Sequence, residues 1–341
     1  MTIKTQTPSS VSVRGKLFLV DGTSFCYRAF YAIRSLSTSR GEPTNAIYGF
    51  ITMMKKMLQD AKPEHVAICF DRKEPTFRHK QFKEYKAHRK PMPDDLVAQL
   101  EPIKEFCRAF RFAIFEKAGY EADDLIGTLA KKAEEQGLDV FIVTGDKDAM
   151  QLVNERVRVF NPHKDNLIGD REFVKKRFDG LGPEKVVDLM ALMGDASDNI
   201  PGAPGIGEKT AIKLIQEFGS VEKLIEHVSR VKSKSQQAIL KENQEQILLS
   251  KHLAKIDTEV PMDIHWEDLK SQTPDEEKLA GLLKHYEFRT LLKEHMPTGE
   301  DRHEDRRYET LQTEKELEAF VNQLKKTPAF SFDTETTSSD P

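Results

Sequence analysis

The chain has 341 residues, 32% of them charged and 38% hydrophobic, with a formal net charge of −4. That mix describes a globular chain long enough for two domains or slightly more, and no apolar run approaches the roughly 18 residues of a membrane span. The opening MTIKTQTPSSVSVRGK lacks an apolar h-region, so a flexible tail over 1–14 and a cytoplasmic address are expected, while Cys26, Cys69 and Cys107, with no C-x-x-C pair, argue against a zinc site or a disulfide framework.

In chain order, KLFLVDG (16–22) is a short apolar run of buried-strand type, NAIYGFITMMKKMLQD (45–60) carries a helical pattern, and HVAICFD (65–71) is a second strand. Arg72 to Lys90 then hold eight Lys or Arg (72, 73, 78, 80, 83, 86, 89 and 90) against Glu74 and Glu84, a basic arm on an acidic chain. With Phe77, Phe82 and Tyr85 interleaved, such an arm suits phosphate contact and stacking on single-stranded bases. Its plain alternative is a solvated helix face. DDLVAQLEPIKEFCRAF (94–110) and ADDLIGTLAKKAEEQG (122–137) read as helices, and DVFIVTGDKD (139–148) as a third strand. Strands alternating with long helices predict an α/β fold of right-handed βαβ units around a parallel sheet. Ligands of such sheets bind beyond the carboxyl ends of the strands. All three predicted strands end in aspartate, which gathers Asp21, Asp71, Asp146 and Asp148 at one edge.

GYEADD (119–124) adds Glu121, Asp123 and Asp124 in the first turn of the 122–137 helix, where one acid would satisfy the cap and the dipole. LMGDASDNIPG adds Asp195 and Asp198 after the apolar stretch PEKVVDLMALMG. Any one of these nine acids alone reads as a strand-end or turn residue. Together they would raise their own pKa values unless cations neutralise them. Oxygen donors without His or Cys select Mg²⁺, with Mn²⁺ as a substitute. More acids than one ion uses suggests two ions about 4 Å apart, an arrangement that clamps the attacking and leaving oxygens in phosphodiester cleavage. GAPGIGEKTAIKLIQEFGS (202–220) places Gly205 and Gly207 ahead of a helix starting near Glu208, with Lys209 and Thr210 as further donors. Such a turn suits contact with a duplex backbone, and it is not a Walker loop; it also reads as an ordinary helix-to-helix turn.

LVDGTSFCYRAFYA, FDRKEPTFRHKQFKEYKAHRK, GYEADDLIGTLAKKAE, VTGDKDAMQLV and LMGDASDNIPGAPGIGEKTA together resemble the 5′-nuclease domains of bacterial DNA polymerases I, within the 5′–3′ exonuclease and flap endonuclease superfamily. The resemblance spans roughly residues 15–290. It implies a PIN-like catalytic core over 15–183 with a helical arch near 72–100, then a helix-three-turn-helix DNA-binding region over 184–295. It implies that Asp21, Asp71, Glu121 and Asp123 hold a first metal, and that Asp146, Asp148 and Asp198 hold a second with Asp123 shared. Asp124 and Asp195 match family acids and join the metal set. Tyr85, Lys86 and Arg89 fall in the arch motif, the lysine and arginine steadying the scissile phosphate. Arg72, Phe77, Arg78 and Lys83 are expected to touch DNA, as are Gly205, Gly207, Lys209 and Thr210, whose turn is a candidate K⁺ site. The implied partners are DNA with 5′ flaps, nicks or 5′ ends, and RNA primers, bound by a monomer without a membrane.

The end of the chain differs in kind. A charged linker over 296–309 precedes EKELEAFVNQLKK and AFSFDTETTSSDP, and FDTET, with Asp333 and Glu335 on one side of a strand, resembles the first motif of the 3′–5′ proofreading exonuclease fold. The expectation is a truncated start of that domain over 310–341, with no proofreading or synthesis. Three rival readings are open to test. A haloacid-dehalogenase phosphatase is disfavoured because Gly22 and Thr23 follow Asp21, where that fold needs a second aspartate. An RNA-cutting PIN nuclease would lack the GIGEKTA segment, and a non-catalytic DNA-binding module gains nothing from nine acids.

Overall fold

Leu17, Phe18, Leu19 and Val20 are all buried, so the first strand has no polar face and belongs at the centre of a covered sheet. The computed structural model describes residues 15–161, 167–295 and 310–331. Its strands are β1 (Lys16–Asp21), β2 (His65–Cys69), β3 (Ala113–Phe115), β4 (Asp139–Val143), β5 (Val157–Asn161) and β6 (Leu167–Gly169). They lie in the order β3-β2-β1-β4-β5-β6, parallel except for β6, which pairs antiparallel with β5. The chain winds outward from β1 in one direction and then from β4 in the other. A crevice therefore opens at the carboxyl ends of β1 and β4, where Asp21 and the residues after Val143 sit.

The two faces of β1 seed two cores. Phe18 and Val20 join α1 (Gly22–Ala32), α2 (Asn45–Ala61) and, beyond a short α3 (Phe77–Gln81), α4 (Asp94–Ala109). Phe18 stacks on Phe141 of β4 with ring centroids 4.9 Å apart. Leu17 and Leu19 face α5 (Ala122–Glu135) and a helical region made of α6 (Arg171–Arg177), α7 (Val186–Met193), α8 (Glu208–Phe218), α9 (Val221–Glu226), α10 (Lys234–Glu242) and α11 (Gln244–Ala254). The chain then returns to the first core through α12 (Glu276–His285) and α13 (Arg289–His295), burying Leu279, Leu283 and Leu291 there.

Between α3 and α4 the basic arm runs through consecutive turns over 83–88, with Lys86 in the left-handed region at φ 55°. A second unit begins at Met296. Its α14 (Glu314–Leu324) starts with a Thr313/Glu316 capping box and leaves Leu317, Phe320 and Val321 exposed. The tail 1–14, the linker 296–309, and Asp333 and Glu335 lie outside the described residues. Among the described residues no helix is long and apolar enough to cross a membrane.

Candidate active site

Asp21 ends β1 and starts α1: its Oδ1 accepts the Ser24 N–H at 2.9 Å, and its Oδ2 accepts the Thr144 hydroxyl at 3.3 Å. Burial, then Asp71 and Asp146, push its carboxyl up to about 7. Asp71 follows β2 and is tied on both sides, its N–H donating to Thr23 Oγ1 and its Oδ1 accepting the Ala122 N–H, each at 2.8 Å. That second bond docks the start of α5 against the sheet edge and so brings Glu121 and Asp123 to the rim. Burial, then Asp21, Asp146, Asp71 and Glu121, drive the Asp123 carboxyl well above the ordinary range. After β4, Asp146 donates its N–H to Thr144 Oγ1 and accepts the Asp148 N–H at 2.9 Å.

These elements enclose a cavity of about 240 Å³ lined by Asp21, Asp71, Glu121, Asp123, Asp146 and Asp198, together with Tyr27, Lys86 and Arg89. Asp148 stands behind the lining with its Oδ1 buried and without a hydrogen-bond partner, and burial, then Asp146, Asp195 and Asp198, raise its carboxyl to about 8. A carboxylate oxygen buried among like charges calls for a cation. All-oxygen donors fit hard divalent ions. Among the described residues, however, no three of these side chains stand close enough to grip one ion in this arrangement. Protein cations take their place at the cavity mouth. Lys86 Nζ lies 2.8 Å from Glu121 Oε1 and 3.4 Å from Asp198 Oδ2, and Arg89 lies 2.5 Å from Asp198 Oδ1. The Tyr85 hydroxyl sits between the same acids, 3.0 Å from Glu121 Oε2 and 2.9 Å from Asp198 Oδ2. A larger hollow of about 470 Å³ lies between α4 and α12, and its lining of Glu105, Arg108, Lys278, Gly281 and Leu282 gathers no comparable group of acids.

Family models bear on this geometry. One described as 5′-3′ exonuclease, N-terminal resolvase-like domain, matches residues 16–179, and one described as 5′-3′ exonuclease, C-terminal SAM fold, matches 181–277. The chain belongs to the 5′-3′ exonuclease family. DNA polymerase I of Bacillus subtilis (strain 168) is 45% identical over 293 residues, which are 84% of this chain and 33% of that protein. The thermostable DNA polymerase I of Thermus thermophilus is 44% identical over 282 residues, 82% of this chain and 33% of that protein. The chain thus spans about one third of the length of these curated relatives. Among solved structures, the T5 D15 protein co-crystallised with metal ions superposes with a TM-score of 0.63 at 20% identity, covering 81% of this chain and 98% of that one. The catalytic core of Rad2 in complex with DNA substrate gives 0.57 at 18%, covering 84% and 94%. At such identities the likeness concerns the fold alone: a resolvase-like, PIN-type α/β core followed by a SAM-like helical region.

Within this 5′-3′ exonuclease-family chain, three of the expected site residues, Asp124, Arg78 and Asp195, are held by contacts with the protein itself. Asp124 is fully buried and points away from the cavity. Its two oxygens form a bidentate pair with Arg78 at 2.8 Å each and also accept the N–H groups of Asp257 and Glu121, so no oxygen is left for a metal. Arg78, expected on DNA, is only 3% exposed and spends its remaining donors on the carbonyls of Leu253 and Lys255. The pair locks the base of the arm, the start of α5 and the segment after α11 together. Asp195 is likewise committed. Burial raises its carboxyl, but Lys147 at 2.7 Å and the Ser197 hydroxyl and N–H outweigh that and hold it below the ordinary range.

The other named residues stay at the surface or near it. Arg72 pairs with Glu74, Lys83 is exposed, and half-buried Phe77 packs near Tyr120 and His252. Gly205 and Gly207 are exposed, Gly205 at φ 74°, and Gly207 caps α8, with Lys209 exposed and Thr210 half-buried. Lys147 and Thr144 were missed by sequence reasoning, although both stand in VTGDKD, the second bonding to Asp21 and Asp146 and the first carrying the counter-charge of Asp195.

Proposed function

We propose that this chain is a structure-specific 5′ nuclease that hydrolyses phosphodiester bonds at 5′ ends and 5′ flaps of branched DNA, and of RNA primers annealed to DNA, using Mg²⁺ or in its place Mn²⁺. The observation that carries the reading is the meeting of six acids from five segments around one cavity, backed by the orphaned oxygen of Asp148. Asp21, Asp71, Glu121 and Asp123 would hold one ion, and Asp146, Asp148 and Asp198 a second, with Asp123 shared. When bound, two such ions supply a hydrolytic nucleophile at neutral pH and charge for the departing oxygen.

The chain's own groups do the rest. Lys86 and Arg89, already at the cavity mouth, offset charge on the phosphoryl oxygens. The Tyr85 phenol, raised by burial and by Glu121 and Asp198, stays protonated and orients both acids. The Gly205–Thr210 turn, with room for a backbone to approach both glycines, grips the duplex strand through N–H groups and Lys209, and its backbone would hold a K⁺ ion. Arg72, Lys73 and Lys83 extend the basic track for the single strand. The reading takes 15–183 as the catalytic core and 184–295 as the duplex-binding region of a monomer working in the cytoplasm. The test is incubation of labelled 5′-flap DNA, and of a matched RNA, with and without Mg²⁺. Asp71→Ala is expected to lose at least a hundredfold in cleavage while binding flap DNA within a few-fold of the parent. Unchanged turnover in that variant, or binding without any product in the parent, would remove the proposal.

A further inference from the structure

The turns over 82–90 are anchored in the core by two aromatic side chains and are otherwise exposed. Tyr85 is buried and Phe82 half-buried, whereas Lys83, Glu84, Ala87, His88, Arg89 and Lys90 are exposed. Polar contacts to a single turn hold the exposed part of the segment down. The Lys86 N–H donates to the Asp198 carbonyl at 3.0 Å, Arg89 Nε donates to the Ser197 carbonyl at 3.0 Å, and Asn199 Nδ2 donates to the Glu84 carbonyl at 2.6 Å. Lys86 and Asn199 have φ values of 55° and 57°, a left-handed conformation that both residues adopt at a cost and that neighbouring contacts must hold.

The charged ends of the same segment reach into the cavity and cover Glu121 and Asp198. We propose that residues 82–90 form a clasp in which Lys86 and Arg89 act as tethered counter-ions of Glu121 and Asp198, and that divalent ions displace them, opening the segment to the phosphate backbone. The inference rests on the nuclease reading and adds regulation to it. A divalent ion at these carboxylates meets the positive charges of Lys86 and Arg89, so the free energy that seats the two side chains is subtracted from divalent-ion binding. By the same linkage, ions that bind these acids weaken the clasp. Lys86 and Arg89 then face outward with the rest of the basic arm, where a polyanion meets them. The metal-free protein thus screens its acidic cavity, and the loaded protein presents its cations.

Mn²⁺ alone, followed by loss of the free-ion paramagnetic resonance signal, reads the competition directly. The full chain is compared with Lys86→Met/Arg89→Met and with Asn199→Gly, which keeps every charge and the left-handed backbone but loses the bond to Glu84. Both variants are expected to bind Mn²⁺ about tenfold more tightly than the parent, on the scale of a removed competing ion pair. Trypsin is expected to cut the parent after Lys83, Lys86 or Arg89 several-fold faster in saturating Mg²⁺ than in EDTA. Equal or weaker Mn²⁺ binding in both variants, or unchanged proteolysis, overturns the clasp and leaves the nuclease reading intact. Absence of Mn²⁺ binding in all three chains would sink the nuclease reading itself, and the clasp with it.

Discussion

Asp148 shows how much one side chain can reveal. Its carboxyl near pH 8 stands above the ordinary 3.8, so the folded chain keeps a proton that the unfolded chain gives up. Stability from this group is complete below about pH 4 and declines as pH rises towards 8. In EDTA, Asp148→Asn is expected to stabilise the fold at pH 8 by on the order of 2 kcal/mol, with the gain shrinking as pH falls towards 4, as measured by urea melts. A variant no more stable than the parent at pH 8 would show that the acid is not held against its neighbours. Arg78 and Asp124 make the opposite case, a buried pair with every donor matched. Removing one partner by Arg78→Met strands a buried carboxylate, so a loss of about 3–5 kcal/mol is expected in the same melts. A loss below 1 kcal/mol would return Arg78 to the surface role its sequence suggests. Neither partner announces this pairing, because 46 residues separate them and both stand in motifs rich in their own charge. Asp123 and Asp124 are adjacent acids, and the 100° step of a helix sends one to the rim and the other inward. Only packing decides which.

At the scale of elements, the legible parts were those with long, uniform patterns. The strands at β1, β2 and β4 and the helices α2, α4 and α5 stand within a few residues of their sequence reading, since continuous apolar runs and helical periodicity leave little choice. β3 and β6 are three residues each, and β5 is five residues broken by Arg158 and ended by Asn161, so none of them carries a strong signal of its own. They form because neighbouring strands supply the ladder. The turn carrying Asp195 and Asp198 depends on a different local feature. Gly194, at φ 68°, lies so close to the returning chain that a Cβ would come 2.4 Å from the Ile200 carbonyl oxygen. Gly194→Ala is expected to destabilise the fold by about 2–4 kcal/mol and to lower cleavage of flap DNA beyond what the stability loss explains, because Asp198 shifts. Full activity in a folded Gly194→Ala chain would show that the turn does not set the position of Asp198.

For the whole molecule, a net charge of −4 hides two opposed surfaces brought face to face, acids gathered at the sheet edge and a basic arm folded onto them. Sequence spacing could place each group on its own segment. It could not show that the arm rests in the cavity, since that depends on a handful of contacts between residues more than a hundred positions apart. The central claim is that divalent ions belong among these acids, and a crystal soaked in Mn²⁺ tests it most directly by anomalous scattering. Two peaks are predicted, one among Asp21, Asp71, Glu121 and Asp123 and one among Asp146, Asp148 and Asp198. No peak within that cavity, with Mn²⁺ found only elsewhere on the surface, would contradict the account.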